Sequence, residues 1–411
     1  MTEDEKQIST DSYKGVRDFY PEDMSTLKYI FLTWRKTVES FGYVEYNASI
    51  LEPSELYRAK SSDEIVNEQT YIFTDRGGRE VTLRPEMTPT VARMVAGKRR
   101  ELSFPLRWYS IPNLFRYERP QRGRLREHFQ LNADIFGIET LEAEIEMITL
   151  AHELLKNFGL TDDQFVIKIN DKAHFREALG TLGLSDDLVK QAGTLLDKRG
   201  KIETFEADWE KLTGKKFDAK VFDNPKLDTF IKMLEERGIT NAIPDTTLVR
   251  GFDYYSGLVF EVFDTNLENK RSLFGGGRYD NLVSMFGEEK VPAVGFGMGD
   301  VTMRDVLETY KLLPAYVSTT DLYICVLDVS LNKEASDLAK YLRTQGLNVG
   351  IDLSGKKLGE QIKKADKDRI PYIVCVGEEE LKTGKFKLKE LSSGNETIVE
   401  REGIASGVIR G

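Results

Sequence analysis

A chain of 411 residues is long enough for two or three domains, each with its own core, and 40% hydrophobic with 31% charged residues describes an ordinary globular composition. A net charge of −10 argues against indiscriminate nucleic-acid binding while leaving room for a local basic face. Two cysteines, Cys325 and Cys375, exclude a disulfide framework. No Cys/His cluster suggests a metal site, and the polar start with no membrane-length apolar run reads as cytoplasmic, with no membrane partner.

From Glu22 to Phe41, apolar residues at 24, 27, 31, 34, 38 and 41 mark one helix face, with Pro21 at its start and Gly42 as its stop. ILEP (50–53) reads as a strand. Tyr71–Thr74 and Glu80–Leu83 flank Gly77-Gly78, a pair suited to a tight hairpin turn. Thr88 followed by Pro89 predicts a capped helix start, and Glu86 just before it is either a helix-dipole partner or an ammonium-binding carboxylate.

The most unusual stretch is LFRYERPQRGRLREHFQLNADIFG (114–137). Alternating residues at each end predict two strands, and the loop between them carries Arg119, Arg122, Arg124 and Arg126. With Arg116 this makes five guanidinium groups in eleven residues, opposed only by Glu118. Such crowding needs an anion or solvent, so the hairpin either grips a polyphosphate through guanidinium forks or is a solvated basic loop.

An amphipathic helix follows, with Leu141, Ile145, Ile148, Leu155 and Phe158 on one face, and then a strand, FVIKIN (165–170). Residues 171–242 are helix-prone and densely charged and read as a helical insertion. Strand patterns return in LVRGFDYYSGLVFEVF (248–263), which holds Arg250, Tyr254 and Tyr255. FGGGRYD (274–280) reads as a glycine-rich turn lacking any nucleotide-loop pattern, and PAVGFGMGD (292–300) as a strand running into a helix. Leu313-Pro314 through Thr320 reads as a linker. Beyond it, strand–helix alternation predicts a small α/β domain on parallel strands, with both cysteines buried in strands. Residues 317–411 hold 15 basic and 15 acidic side chains against 43 and 53 before them, which suggests a module with its own partner. Its six basic residues between Lys356 and Arg369 suit either a solvated helix face or RNA.

Taken together, FRYERPQRGRLREHFQ, LRPEMTPTVAR, RGFDYYSG, GGGRYDNLV, PAVGFGMG and KGVRDFYPED resemble, in order and spacing, the segments of the histidyl-tRNA synthetase family, across essentially the whole chain from Tyr13. The resemblance implies an α+β fold: a class II synthetase antiparallel sheet with helices (1–170 and 243–316), the insertion (171–242) and a C-terminal α/β anticodon-binding domain (317–411). It implies ATP-dependent ligation of L-histidine to tRNA by a homodimer, with Mg²⁺ accompanying ATP and no metal held by the protein. Arg116 and Arg250 are the implied catalytic cations. Glu86, Met87, Thr88, Gln130, Asp134, Tyr254 and Tyr255 join them as implied histidine contacts, and Glu118, Arg124 and His128 join Arg116 in holding ATP. A related regulatory family lacks the C-terminal domain and degrades the RGxDYY segment, both of which this chain keeps. Three positions depart from the family pattern. Thr302 stands where an arginine usually stacks on adenine, with Arg304 two residues on. His128 replaces a usual phenylalanine, with Phe129 beside it, and Ser49 replaces a proline at the dimer interface.

Overall fold

The computed structural model describes residues 8–58, 69–196, 199, 202–246, 248, 254–266, 269 and 271–408. They form two compact units, one ending at Leu313 and one beginning at Pro314.

In the first unit, helix α1 (Pro21–Ser40) opens with Pro21 in its first turn, beside Glu22 and Asp23, which complement the positive end of the helix dipole. It buries Leu27, Ile30, Trp34 and Val38 on one face. Strands β1 (Val44–Glu45) and β2 (Leu51–Pro53) and the single turn α2 (Glu55–Arg58) follow. Strands β3 (Tyr71–Thr74) and β4 (Glu80–Leu83) form the expected hairpin, and of its two glycines only Gly78 has a positive φ, of 76°. Helix α3 (Thr88–Gly97) starts one residue earlier than a Thr88 cap requires. Met87 occupies the cap position, and the Thr88 hydroxyl is directed instead to the Tyr254 phenol.

Strands β5 (Leu106–Ser110), β6 (Asn113–Phe115) and β7 (Glu127–Phe136) lead to α4 (Glu142–Asn157) and β8 (Phe165–Asp171). Helices α5 (Lys172–Thr181), α6 (Asp186–Leu196) and α7 (Phe205–Thr213) enclose a small core around Phe175, Trp209 and Phe222. Helix α8 (Pro225–Glu235) does not share it; Leu227, Phe230 and Leu234 join the main core instead. Strands β9 (Ala242–Pro244), β10 (Leu258–Asp264), β11 (Ser272–Arg278) and β12 (Ala293–Gly299) and helix α9 (Asp300–Thr309) complete the unit.

Among the described residues the large sheet runs β1-β5-β7-β12-β11-β10-β8-β9, with β6 pairing on β7. It is antiparallel except for the β1/β5 and β8/β9 pairs at its edges. Because side chains alternate along a strand, each face has its own chemistry. Leu131, Ala133 and Ile135 of β7, Phe296 and Met298 of β12, and Phe260 and Val262 of β10 form the main core with α1 and α4. The other face carries Gln130 and Asp134.

The FGGGR segment is a strand, not a turn. Its glycines permit close approach: a Cβ on Gly276 would stand 2.1 Å from the Gly295 carbonyl oxygen. Arg278, at the end of this strand, is buried and committed to Glu144, with Nε 2.6 Å from the carboxylate, and to Asp280 at 3.2 Å.

The second unit contains β13 (Leu322–Val326), α10 (Asn332–Thr344), β14 (Val349–Ile351), α11 (Leu358–Lys367), β15 (Tyr372–Val376), α12 (Glu378–Thr383), β16 (Lys385–Glu390), β17 (Glu396–Glu400) and α13 (Ile404–Gly407). Strands β14, β13 and β15 are parallel as expected, and an antiparallel hairpin, β16/β17, extends the sheet. Cys325 is buried and Cys375, half-buried, lies opposite it on the neighbouring strand.

Glu144→Ala tests the Arg278 pair. Removing one partner of a buried ion pair leaves the other charge poorly compensated, so the variant should lose about 3 kcal/mol of unfolding free energy in urea titration. A loss below about 0.5 kcal/mol, the level of an ordinary surface change, would show that the pair does not brace the fold.

Candidate active site

The open face of the sheet becomes a cleft because β12 supplies almost no side chains to it. In register, Gly295 faces Asp134 and Gly299 faces Gln130. A Cβ on Gly295 would stand 2.1 Å from Asp134 Oδ1, and one on Gly297 would stand 2.8 Å from the Gln130 side chain. The glycines therefore make a floor over which the two polar side chains of β7 lie.

One end of the cleft is aromatic and rich in phenols. The Tyr279 hydroxyl donates to Asp134 Oδ1, while Asp134 Oδ2 is buried with no hydrogen-bond partner among the described residues. Burial pushes the Asp134 carboxyl up to about 7, against the opposing effect of the Tyr279 bond. Tyr254 and Tyr255 stack edge to face with centroids 5.0 Å apart, and both approach Tyr279. The Tyr254 hydroxyl donates to Glu86 Oε2 at 3.0 Å, and burial together with the Glu86 charge raises its pKa well above the usual phenol range. Glu86 and Met87 are both buried at the start of α3. The structure thus brings Glu86, Thr88, Asp134, Tyr254 and Tyr255 together from distant parts of the sequence.

The other end is cationic. Arg116, Glu118, Arg124, His128 and Gln130 line a cleft of about 200 Å³, together with Gly297, Gly299 and Thr302. Arg116 is anchored by its Nε on the Pro85 carbonyl at 2.8 Å, and Arg124 pairs with Glu118 at 3.2 Å. The arginine cluster divides into different roles. Arg126 is buried, donating to the Tyr13 hydroxyl at 2.9 Å and the Glu118 carbonyl at 3.1 Å with its guanidinium over the Tyr117 ring. Its backbone N–H also holds the Gly15 carbonyl at 2.7 Å. Arg122 pairs with Asp305 of α9 at 3.4 Å.

His128 faces the cleft. Burial, reinforced by Arg116 and Arg17, pushes its imidazole down to about 3, so the ring is neutral. Phe129 points the other way, edge-on to Phe19 and Phe31. Asp300 ties this strand end down, accepting from the Phe129 backbone N–H at 2.8 Å and from Arg17 at 2.7 Å. Arg304 does not reach the cleft; it pairs with Asp23 at 3.1 Å and Glu308 at 2.8 Å. Arg250 lies outside the described residues, as do residues 251–253. Sequence reading missed Tyr279 and the glycine floor, although the alternate-residue glycines at 295, 297 and 299 are a visible signal for the latter.

The family model described as histidyl-tRNA synthetase matches residues 15–211 and 170–301, and the anticodon-binding-domain model matches residues 321–410. The chain belongs to the histidyl-tRNA synthetase family. It is 41% identical to a histidine–tRNA ligase of Leptospira biflexa, with 95% of each chain covered. It is 38% identical to one of Opitutus terrae, with 97% of each covered. The crystal structure of histidyl-tRNA synthetase from Nostoc sp. PCC 7120 superposes with a TM-score of 0.77 over 97% of this chain and 98% of that one at 23% identity, showing a shared fold. Within this synthetase family the fold is the mixed one expected, a large antiparallel-rich sheet with helices and a C-terminal anticodon-binding domain.

Asp134 has a consequence for stability. Its folded-state pKa of about 7 lies above the unfolded carboxyl value, so the folded state holds the proton more tightly. The resulting stabilisation is fully present at pH below the unfolded value and is lost as pH rises towards 7. Asp134→Asn should therefore gain stability relative to the parent at pH 8 compared with pH 5, on the order of a few kcal/mol, in urea unfolding. Equal differences at both pH values would rule out a raised carboxyl pKa.

Proposed function

We propose that the cleft carries out histidine–tRNA ligation in two steps. A carboxylate oxygen of histidine attacks the α-phosphorus of ATP and displaces pyrophosphate, forming histidyl-adenylate. A ribose hydroxyl at the 3′ end of the tRNA then attacks the carbonyl carbon, and AMP leaves. The observation that carries this reading is the buried, unpartnered Asp134 Oδ2 among the phenols, with arginines at the opposite end of the same floor.

In this reading, Asp134 Oδ2 accepts an imidazole N–H of the substrate and Tyr255 meets the other ring nitrogen, with Tyr254 packed beside it. Glu86, Thr88 and Gln130 take the α-ammonium, and Met87 closes the pocket. Pairing both ring nitrogens excludes other side chains, because they would leave buried groups unsatisfied. Arg116 and Arg250 hold the α-phosphate and the attacking carboxylate and stabilise charge that grows in the transition state. Glu118 and Arg124 anchor the nucleotide, and the neutral His128 ring lies under adenine. Mg²⁺ enters with the ATP substrate, bridging its phosphates. The second unit binds the anticodon, with Lys363, Lys364 and Lys367 exposed on α11 towards phosphates. The protein works in the cytoplasm as a homodimer; no helix among the described residues is long and apolar enough to cross a membrane. Exposed Leu51, Ile72 and Phe73 on the small sheet β2-β4-β3 offer apolar surface for such a contact.

The deciding experiment is ATP–pyrophosphate exchange with each amino acid in turn. Histidine alone should support it, and Arg116→Ala should lower kcat/KM at least about a hundredfold with the fold intact. Exchange with another amino acid, or an Arg116→Ala variant within about threefold of the parent, would remove the basis for these assignments. A chain ending at Leu313 should retain some exchange and lose most tRNA charging. Full-rate charging by that truncated chain would show that the second unit does not bind the anticodon productively.

A further inference from the structure

The second unit holds both cysteines of the chain, and its folding sets them side by side. Cys325 on β13 and Cys375 on β15 are register partners on adjacent parallel strands, so their side chains leave the same face of the sheet. Adjacent strands lie about 4.8 Å apart, within the span of about 4.4–6.8 Å between Cα atoms that a disulfide can bridge. The two thiols are in hydrogen-bond contact. That bond holds the Cys325 thiol above its ordinary range, with burial adding to the effect, and holds the Cys375 thiol below its own. Lys387 also favours the Cys375 thiolate, while burial, Glu380 and Glu396 oppose it. Cys375 is half-buried where Cys325 is fully buried. One sulfur is thus reachable and inclined to the thiolate, and the other stands behind it as a resolving partner.

The face they share is the one that α11 covers. Cys325 clusters there with Tyr323 and with Ala365 of α11, and Ile362 of α11 and Cys375 pack against the same cluster. Lys364 Nζ lies 5.4 Å from the centre of the Tyr323 ring, and Lys363, Lys364 and Lys367 are exposed on the helix. We propose that Cys325 and Cys375 are a modification site: a hydroperoxide converts the pair to an intramolecular disulfide, which shifts the seat of α11 and weakens tRNA binding. The tRNA half of this rests on the reading of the second unit as the anticodon binder. In the first step the Cys375 thiolate attacks one peroxide oxygen, the O–O bond breaks, and hydroxide leaves and takes up the thiol proton as water. The Cys325 sulfur then attacks the sulfenic sulfur of Cys375, the S–O bond breaks, and hydroxide leaves with the Cys325 proton as a second water. The two thiols lose two electrons and the peroxide gains them. Drawing the sulfurs from contact to a bond of about 2.05 Å removes atoms from beneath α11, and a close-packed interior does not absorb such a change without moving a neighbour.

The test compares reduced and peroxide-treated full-length protein. After treatment with hydrogen peroxide and alkylation with N-ethylmaleimide, non-reducing peptide mapping should show the peptides bearing Cys325 and Cys375 joined within one chain, and dithiothreitol should separate them. The oxidised protein should bind tRNA at least about fivefold more weakly than the reduced protein, and dithiothreitol should restore the affinity. Cys375→Ser should keep its affinity through the same treatment; if that variant does not fold, the reversal in the parent is the control. Two thiols that both remain open to alkylation after peroxide overturn the proposal. So does a bond between two chains, or Cys375 sulfinic acid without a cross-link. A disulfide that leaves tRNA affinity within about twofold of the reduced protein overturns it as well, as does a Cys375→Ser variant that loses affinity equally. Reduced protein that binds no tRNA would instead defeat the reading of the second unit, and the tRNA half of this proposal with it, while the peptide map still decides the chemistry.

Discussion

The cleft depends on one pairing, that of β7 with β12. Along β7, Leu131, Ala133 and Ile135 face the core while Gln130 and Asp134 face the open side. A register slip of a single residue would bury both polar groups in the main core and expose three apolar ones. The glycines of β12 make the observed register the workable one, because only a residue without a Cβ fits opposite Asp134. Specifying the fold and forming the site are here the same structural event.

The two ends of the floor then acquire opposite electrostatics from the same sheet. At one end, burial keeps phenols protonated and holds the Asp134 carboxyl near neutrality. At the other, burial, reinforced by the field of Arg116 and Arg17, keeps the His128 ring uncharged. A small zwitterion with a hydrogen-bonding ring fits the first, and a polyanion with a stackable base fits the second. Gln130 and Arg116 line the same cleft, and in the proposed reaction carboxylate and α-phosphate come together there.

Much of this was legible in the sequence because the signals were local. The arginine hairpin and the α1 face each declare themselves within about twenty residues, and the strand–helix alternation after Pro314 needs only consecutive elements from Leu322 to Val376. What failed depended on distant partners. Arg126 looked like one more cation, but Tyr13 and Tyr117 enclose it. Glycine-rich FGGGR carries the local signature of a turn, and only its pairing partners on both sides make it a strand. Thr88 resembled a cap because the phenol that claims its hydroxyl comes from the far side of the insertion.

The N-terminal segment carries a consequence for how the site is assembled in time. Gly15 is hydrogen-bonded to Arg126, Tyr13 meets Arg126 across 113 positions, and Arg17 meets Asp300 across 283. During synthesis the first of these groups leaves the ribosome long before its last partner exists. Contacts of such long range carry a large loop-closure cost and form late. The Arg17–Asp300 pair closes the longest of these loops, tying the segment before α1 to the start of α9.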